Sequence, residues 1–164
     1  MTEPVSRDQL QALGRRIDHW LDAQVALNPV MRDAERDPDQ ATRWFVRLIG
    51  ENKQGFTVVL DLGQRTLGYE TYFMALPAEN HAQLYGSLLQ RNAKMFGLAF
   101  VIVGEEHGGD GPAIYLRGRV NNSLLDSDLD GELDQIFGSM YHWVEDSFQS
   151  ALRIGFASKF AKNP

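Results

Sequence analysis

Residues 42–74, TRWFVRLI GENKQG FTVVLDL GQR TLGYETYFM, decide the fold. Three runs rich in aromatic and β-branched residues, Thr42 to Ile49, Phe56 to Leu62 and Leu67 to Met74, are punctuated by Gly50 to Gly55 and by Gly63-Gln64-Arg65. Runs of this composition between turn residues are strands. Links this short join antiparallel neighbours, because a parallel crossover takes about a dozen residues.

Upstream, Leu10, Leu13, Ile17, Trp20, Leu21 and Leu27 recur as one face of a helix. Ser6 and Asp8 are the candidate caps at its start, and Asn28-Pro29 stops it. Met31 to Gln40, with Asp37-Pro38-Asp39, reads as a polar linker. Downstream, Pro77 opens a second helix carrying Leu84, Leu88, Leu89 and Met95, which Gly97 ends. A fourth strand from Leu98 to Val103, a loop from Gly104 to Gly111 and a fifth strand from Ala113 to Arg117 follow. The last helix aligns Leu133, Ile136, Phe137, Met140, Val144, Phe148, Ala151 and Leu152. At 1.5 Å per residue its roughly 25 residues run roughly 37 Å. The order is α-β-β-β-α-β-β-α, which predicts an α+β domain with a five-stranded, mostly antiparallel sheet covered by helices.

Composition narrows the function. The chain has 164 residues, room for one domain with its own core. No cysteine occurs, which excludes disulfides, thiolate metal sites and a cysteine nucleophile and fits a cytoplasmic location. Met1-Thr2-Glu3-Pro4 has no secretory pattern, and no run approaches the ~20 apolar residues that span a bilayer, so no membrane role is expected. The net charge of −6 speaks against nucleic acid, because phosphate neutralisation dominates that affinity. Arg15-Arg16 and Arg32 with Arg36 are scattered basic groups on a solvated surface.

Chemistry-bearing patterns are few. Asp126-Ser127-Asp128-Leu129-Asp130-Gly131 matches the opening positions of a calcium-binding loop, but the twelfth position, which must carry a bidentate acid, is Phe137. Ser127 and Asp130 also fit a capping box, and acids in a first turn complement the helix dipole. Glu105-Glu106-His107-Gly108-Gly109-Asp110-Gly111 reads as a polar hairpin loop. His19 with Asp18 and Asp22, and His142 with Glu145 and Asp146, lack metal-ligand spacing. No nucleophile elbow or phosphate loop occurs. No catalytic residue, metal ligand or cofactor is expected, and the chain reads as non-enzymatic.

The sheet itself is the stronger signal. Leu98 to Val103 is apolar at every position, and successive strand residues point to opposite faces, so both faces of that strand need cover. The second helix supplies it from within the chain, or a second copy or a client segment supplies it from outside. Phe45, Ile49, Phe100 and Val101 are the candidate partner or dimer surface.

Trp44-Phe45-Val46-Arg47-Leu48, Gly68-Tyr69-Glu70-Thr71-Tyr72-Phe73-Met74 and Pro77-Ala78-Glu79-Asn80-His81 also carry a resemblance. So do Leu84-Tyr85 with Leu88-Leu89-Gln90-Arg91-Asn92, Tyr115-Leu116-Arg117-Gly118-Arg119, and Glu132-Leu133-Asp134-Gln135-Ile136-Phe137-Gly138. Over roughly residues 7–158 the chain resembles the YbjN-type proteins of actinobacteria, which are similar to the type III secretion chaperone family. The resemblance implies that chaperone fold and a cytoplasmic homodimer that binds a partner polypeptide without ATP. Members are labelled chaperone-like or sensory-transduction regulators, and the resemblance carries over no catalytic residue. The competing expectation is a regulatory module sensing a small ligand or calcium, with Asp126, Asp128 and Asp130 as its site.

Overall fold

The computed structural model describes residues 4–104 and 111–161. Helix α1 (Arg7–Leu27) begins at a reciprocal capping box. The Gln9 amide donates to Ser6 Oγ at 3.2 Å, and the Ser6 amide to Gln9 Oε1 at 2.8 Å. Asn28 ends it, as the sequence predicts. The following residues are not a linker. Met31–Arg36 forms a strand, β1, antiparallel to β2 (Arg43–Leu48). Its charged sequence hides it from pattern reading because β1 lies at the sheet edge, where charge guards against misplaced pairing.

Strands β3 (Phe56–Leu62) and β4 (Thr66–Ala75) extend the meander. After helix α2 (His81–Asn92) come β5 (Ala99–Val103) and β6 (Ala113–Asn121). The sheet therefore has six strands rather than five, in the order β1-β2-β3-β4-β6-β5, and every neighbouring pair is antiparallel. β6 is longer than predicted and slots between β4 and β5. A short helix α3 (Asn122–Ser127) precedes α4 (Leu129–Gly155), and α5 (Ala157–Ala161) follows. The start of α2 also moves: Pro77 lies in the preceding connection, where the amides of Ala78 and Glu79 donate to the Gly155 carbonyl.

The helices share one side of the sheet. Inward positions of the strands, among them Trp44, Val46, Val58, Leu60, Leu67, Phe73, Ile114 and Leu116, are almost fully buried. They meet Ile17 and Leu21 of α1, Leu84 and Leu88 of α2, and Leu133, Met140 and Val144 of α4 in one apolar cluster. Burying each such side chain contributes about 1.5–3 kcal/mol. Trp20 of α1 stacks on Phe137 of α4 with centroids 5.5 Å apart. Arg91 of α2 pairs with Asp146 of α4 at 3.4 Å.

Polar contacts fix the registry of the layers. Asp18 of α1 accepts from the Trp44 indole at 2.7 Å and from the Arg36 guanidinium, which also donates to the Gly14 carbonyl. Two strands are thereby tied to α1 through one carboxylate. On β6, Gly118 is required by close approach: a Cβ there would stand 1.9 Å from the Gly97 carbonyl oxygen and 2.6 Å from the Tyr69 ring. The turn before β5 crosses over β6 at that point, held by Tyr69 Oη donating to the Gly97 carbonyl at 2.8 Å.

Candidate functional site on the helix-free face of the sheet

Side-chain alternation leaves a second sheet face that no described helix covers. Register places Glu35, Phe45, Val59, Glu70, Arg117 and Ala99 in one row across all six strands. One step along lie Asp33, Arg47 and Thr57, then Tyr72, Tyr115 and Val101. On the other side lie Arg43, Asp61, Gly68 and Arg119. Tyr72 is 46% exposed and meets Tyr115 edge-on at 5.7 Å. The side chains around Gly68 and Arg119 border a shallow hollow of about 410 Å³. The face is thus a belt of aromatic and aliphatic groups set among ion pairs: Arg43 with Asp61 at 3.3 Å, and Arg117 with Glu70 at 3.1 Å. Burial first, then the Glu70 carboxylate and Tyr72, hold the Tyr115 phenol above its ordinary range.

The four predicted surface residues separate. Phe45 and Val101 sit on this face, half-buried. Ile49 lies just past β2, half-buried, its amide donating to the Val30 carbonyl at 2.9 Å. Phe100 points the other way: it is 6% exposed and packs on Phe73 at 4.7 Å, so the chain itself covers it. Of the two covers open in the sequence, α2 therefore protects only the inner face. Pattern reading missed Tyr72, Tyr115 and Arg119, although β6 alternates outward Tyr115, Arg117 and Arg119 with inward Ile114 and Leu116.

The two sheet edges differ. At β5, Asn92 of α2 pairs with both backbone groups of Phe100, accepting from its amide at 2.7 Å and donating to its carbonyl at 3.1 Å. α2 thus closes that edge with a side-chain amide acting as a missing strand. Among the described residues, no hydrogen bond from another element closes the outward edge of β1.

Lys53 holds the end of the face. The loop between β2 and β3 is docked on α4, with the Asn52 amide donating to Glu145 Oε2 at 2.8 Å and Gln149 to the Asn52 carbonyl at 2.8 Å. From it Lys53 Nζ donates to the carbonyls of Tyr72 at 2.9 Å and Phe73 at 2.8 Å. A register shift between Tyr72 and Met74 frees those carbonyls and turns both Phe73 and Met74 into the core. The ammonium also lies over the Phe148 and Tyr72 rings. Burial pushes its pKa down to about 8.

The calcium-like acids point elsewhere. Asp126 pairs with Arg16 at 2.7 Å, and Asp128, not Ser127, caps α4 by accepting from the Gly131 amide. Ser127 Oγ donates back to the Leu124 carbonyl, and Phe137 is buried against Trp20. Among the described residues, no three His, Asp or Glu side chains gather as metal ligands. A concavity of about 870 Å³ is an open groove between α1 and the start of α4 containing His19, Arg15, Arg16 and Asp130. Residues 105–110, which hold most of the predicted Glu105 to Gly111 loop, lie outside the described residues. No described helix is long and apolar enough to cross a membrane.

The chain is similar to mycobacterial proteins. An uncharacterized protein of Mycobacterium leprae is 32% identical over 125 residues, which are 76% of this chain and 63% of that protein. Uncharacterized proteins of Mycobacterium bovis and Mycobacterium tuberculosis are 31% identical over 118 residues, 72% of this chain and 60% of theirs. The chain thus spans less than two thirds of the length of the curated relatives it matches. No protein-family model and no solved structure matches it.

Proposed function

We propose that the protein is a non-enzymatic, chaperone-like or adaptor module that acts as a homodimer and binds a partner polypeptide. The observation that carries this reading is the asymmetry of the sheet: one face is sealed by α1, α2 and α4, while the other carries Phe45, Val59, Tyr72, Tyr115 and Val101 with no described helix over them. Tyr, Phe and Arg are the residue types enriched where proteins meet. The unclosed edge of β1 supplies a second mode, addition of an extended client strand through backbone hydrogen bonds. The resemblance to YbjN-type and type III secretion chaperone-like proteins supports the same reading.

The test is hydrogen exchange on the purified protein with each polypeptide that co-purifies with it. Slowed exchange of the Asp33–Arg36 amides on addition of the purified client is the expected result. A client that binds without slowing exchange there rejects strand addition. A protein that retains no polypeptide, and instead turns over a small molecule in the α1–α4 groove, rejects the whole reading.

A further inference from the structure

We infer that the bare backbone at Gly68 is the seat of an aromatic side chain of the client, and that Arg119 receives a carboxylate beside it. This inference rests on the polypeptide-binding reading and names the client chemistry which that reading leaves open.

Gly68 stands mid-strand in β4, paired with Asp61 of β3 and Arg119 of β6, and no register shift interrupts either pairing there. The fold does not require a glycine at this point. Its φ lies outside the left-handed region, and a Cβ would meet only the Asp61 carbonyl oxygen, at an ordinary 3.7 Å. Gly118 of β6 is the contrast, since a Cβ on its side of the sheet has no room. Glycine inside a strand weakens it, and where no bulge, bend or crowding within the chain accounts for it, close approach from outside does.

The missing side chain opens a floor in the helix-free face. Asp61 and Arg119 flank it across two strand spacings, roughly 10 Å, and Thr66 and Glu70 bound it along β4, roughly 13 Å apart. The hollow above, about 410 Å³, is shallow. That shape takes a flat ring laid on the backbone, as aromatic side chains cover glycines in sheets. Small-molecule sites enclose most of their ligand, so a ring carried by a polypeptide suits this one better.

The rim specifies what stands next to the ring. Arg43 is taken by Asp61 at 3.3 Å and Arg117 by Glu70 at 3.1 Å, so both pairs are neutral. Among the described residues no carboxylate pairs with the exposed Arg119. One positive charge is therefore left over at the edge of the hollow, on a group that also packs against aromatic faces. In an extended segment, residues two apart point the same way and lie about 7 Å apart. The matching client segment is an aromatic residue with an acid two positions away.

The probe is the blocked pentapeptide Ser-Trp-Ser-Glu-Ser, titrated to about 5 mM into the isotope-labelled full chain and followed by amide chemical shifts. Saturable shifts at Gly68, Arg117 and Arg119 are expected. Alanine in place of the peptide's tryptophan abolishes them, and lysine in place of its glutamate weakens binding about threefold or more. Gly68→Ala is expected to melt at or above the wild-type temperature, because the strand gains a better residue. It binds the peptide about threefold more weakly or worse, because its methyl lifts the ring off the backbone. Arg119→Gln erases the preference for glutamate over lysine. A Gly68→Ala protein that melts well below wild type shows that the glycine serves the fold, and overturns the inference. A peptide that shifts no signal at the hollow also overturns it, and slowed exchange at the β1 edge with a co-purified client then keeps the polypeptide reading standing. If neither peptide nor client binds, both fall. Indole-3-acetate that binds the hollow as tightly as the peptide overturns the polypeptide assignment in favour of a small ligand.

Discussion

Alanine introduced at two glycines of this chain should move stability in opposite directions. At Gly118 the new Cβ would stand 1.9 Å from the Gly97 carbonyl oxygen, far inside the 3.0 Å below which Cβ contacts essentially never fall. The obstacle is backbone, so rotamer adjustment gives no relief, and the turn before β5 must lift. Lifting it breaks the Tyr69–Gly97 hydrogen bond, leaving the hydroxyl of a buried tyrosine unpaired at a cost of about 1–3 kcal/mol. It also disturbs Leu98, 8% exposed, and the resulting strain in packing costs about 1–3 kcal/mol more. The sum, about 2–6 kcal/mol, lowers the midpoint of a chain this long by about 4–24 °C. At Gly86 of α2 a Cβ meets nothing within 4 Å, so the same substitution gains about 0.5–1 kcal/mol of helix preference. Thermal melts and urea titrations of both variants, followed by circular dichroism, read the two signs. A Gly118→Ala protein melting within about 2 °C of wild type, a shift equivalent to no more than about 1 kcal/mol, refutes the account of this crossing.

Three further outcomes are expected. Lys53 carries a folded-state pKa of about 8 against an ordinary 10.5, so between those values the unfolded chain holds more protons. Stability therefore rises with pH from about 8 toward 10, then falls as Tyr69 and Tyr115, whose phenols are held above 10.0, ionise first in the unfolded chain. Urea midpoints at pH 7.5 and 9.5 show the rise in wild type, and Lys53→Met abolishes it. Asn92→Ala leaves both edge groups of Phe100 without their partner, costing about 1–3 kcal/mol and speeding amide exchange at Phe100, read by hydrogen-exchange mass spectrometry. Millimolar calcium should leave the melting midpoint within about 1 °C, because Asp126 and Asp128 are committed to Arg16 and to the α4 cap; a large upward shift would restore the calcium reading.

What was legible in the sequence follows from which forces write in periodic letters. Trp44, Val46 and Leu48, or Leu133, Phe137, Met140 and Val144, announce their elements because burial repeats with the geometry of the strand or helix. β1 has the pattern of a linker because Met31 is its one buried residue, and its pairing is made by backbone groups that residue identity does not reveal. The direction of α2 over the sheet was equally hidden: Leu84 and Leu88 say that one side is buried, not which face of the sheet receives it. Phe100 was misplaced for the same reason, since a uniformly apolar strand carries no alternation to mark its inward side. Of the candidate site, Phe45 and Val101 were visible as apolar residues needing cover. Tyr115 and Arg119 belong to the face because β6 lies between β4 and β5, a placement that sequence order does not show.

The position of α4 at the far end of the chain has a consequence for biogenesis. All six strands are made before it, and α1, the described helix that precedes the early strands, ties to their β1 and β2 side. Until residues 129–155 leave the ribosome, the inward side chains of Val58, Leu60, Leu67 and Leu116 have no α4 to shelter them. β5 is also stranded, because its hydrogen-bonding neighbour β6 is translated after it. A nascent chain in that condition exposes a wet apolar sheet and unpaired strand edges, the features that drive aggregation during synthesis. Closure is thus a late, single event. A ribosome that stalls shortly before residue 129 holds the most aggregation-prone form this sequence ever takes.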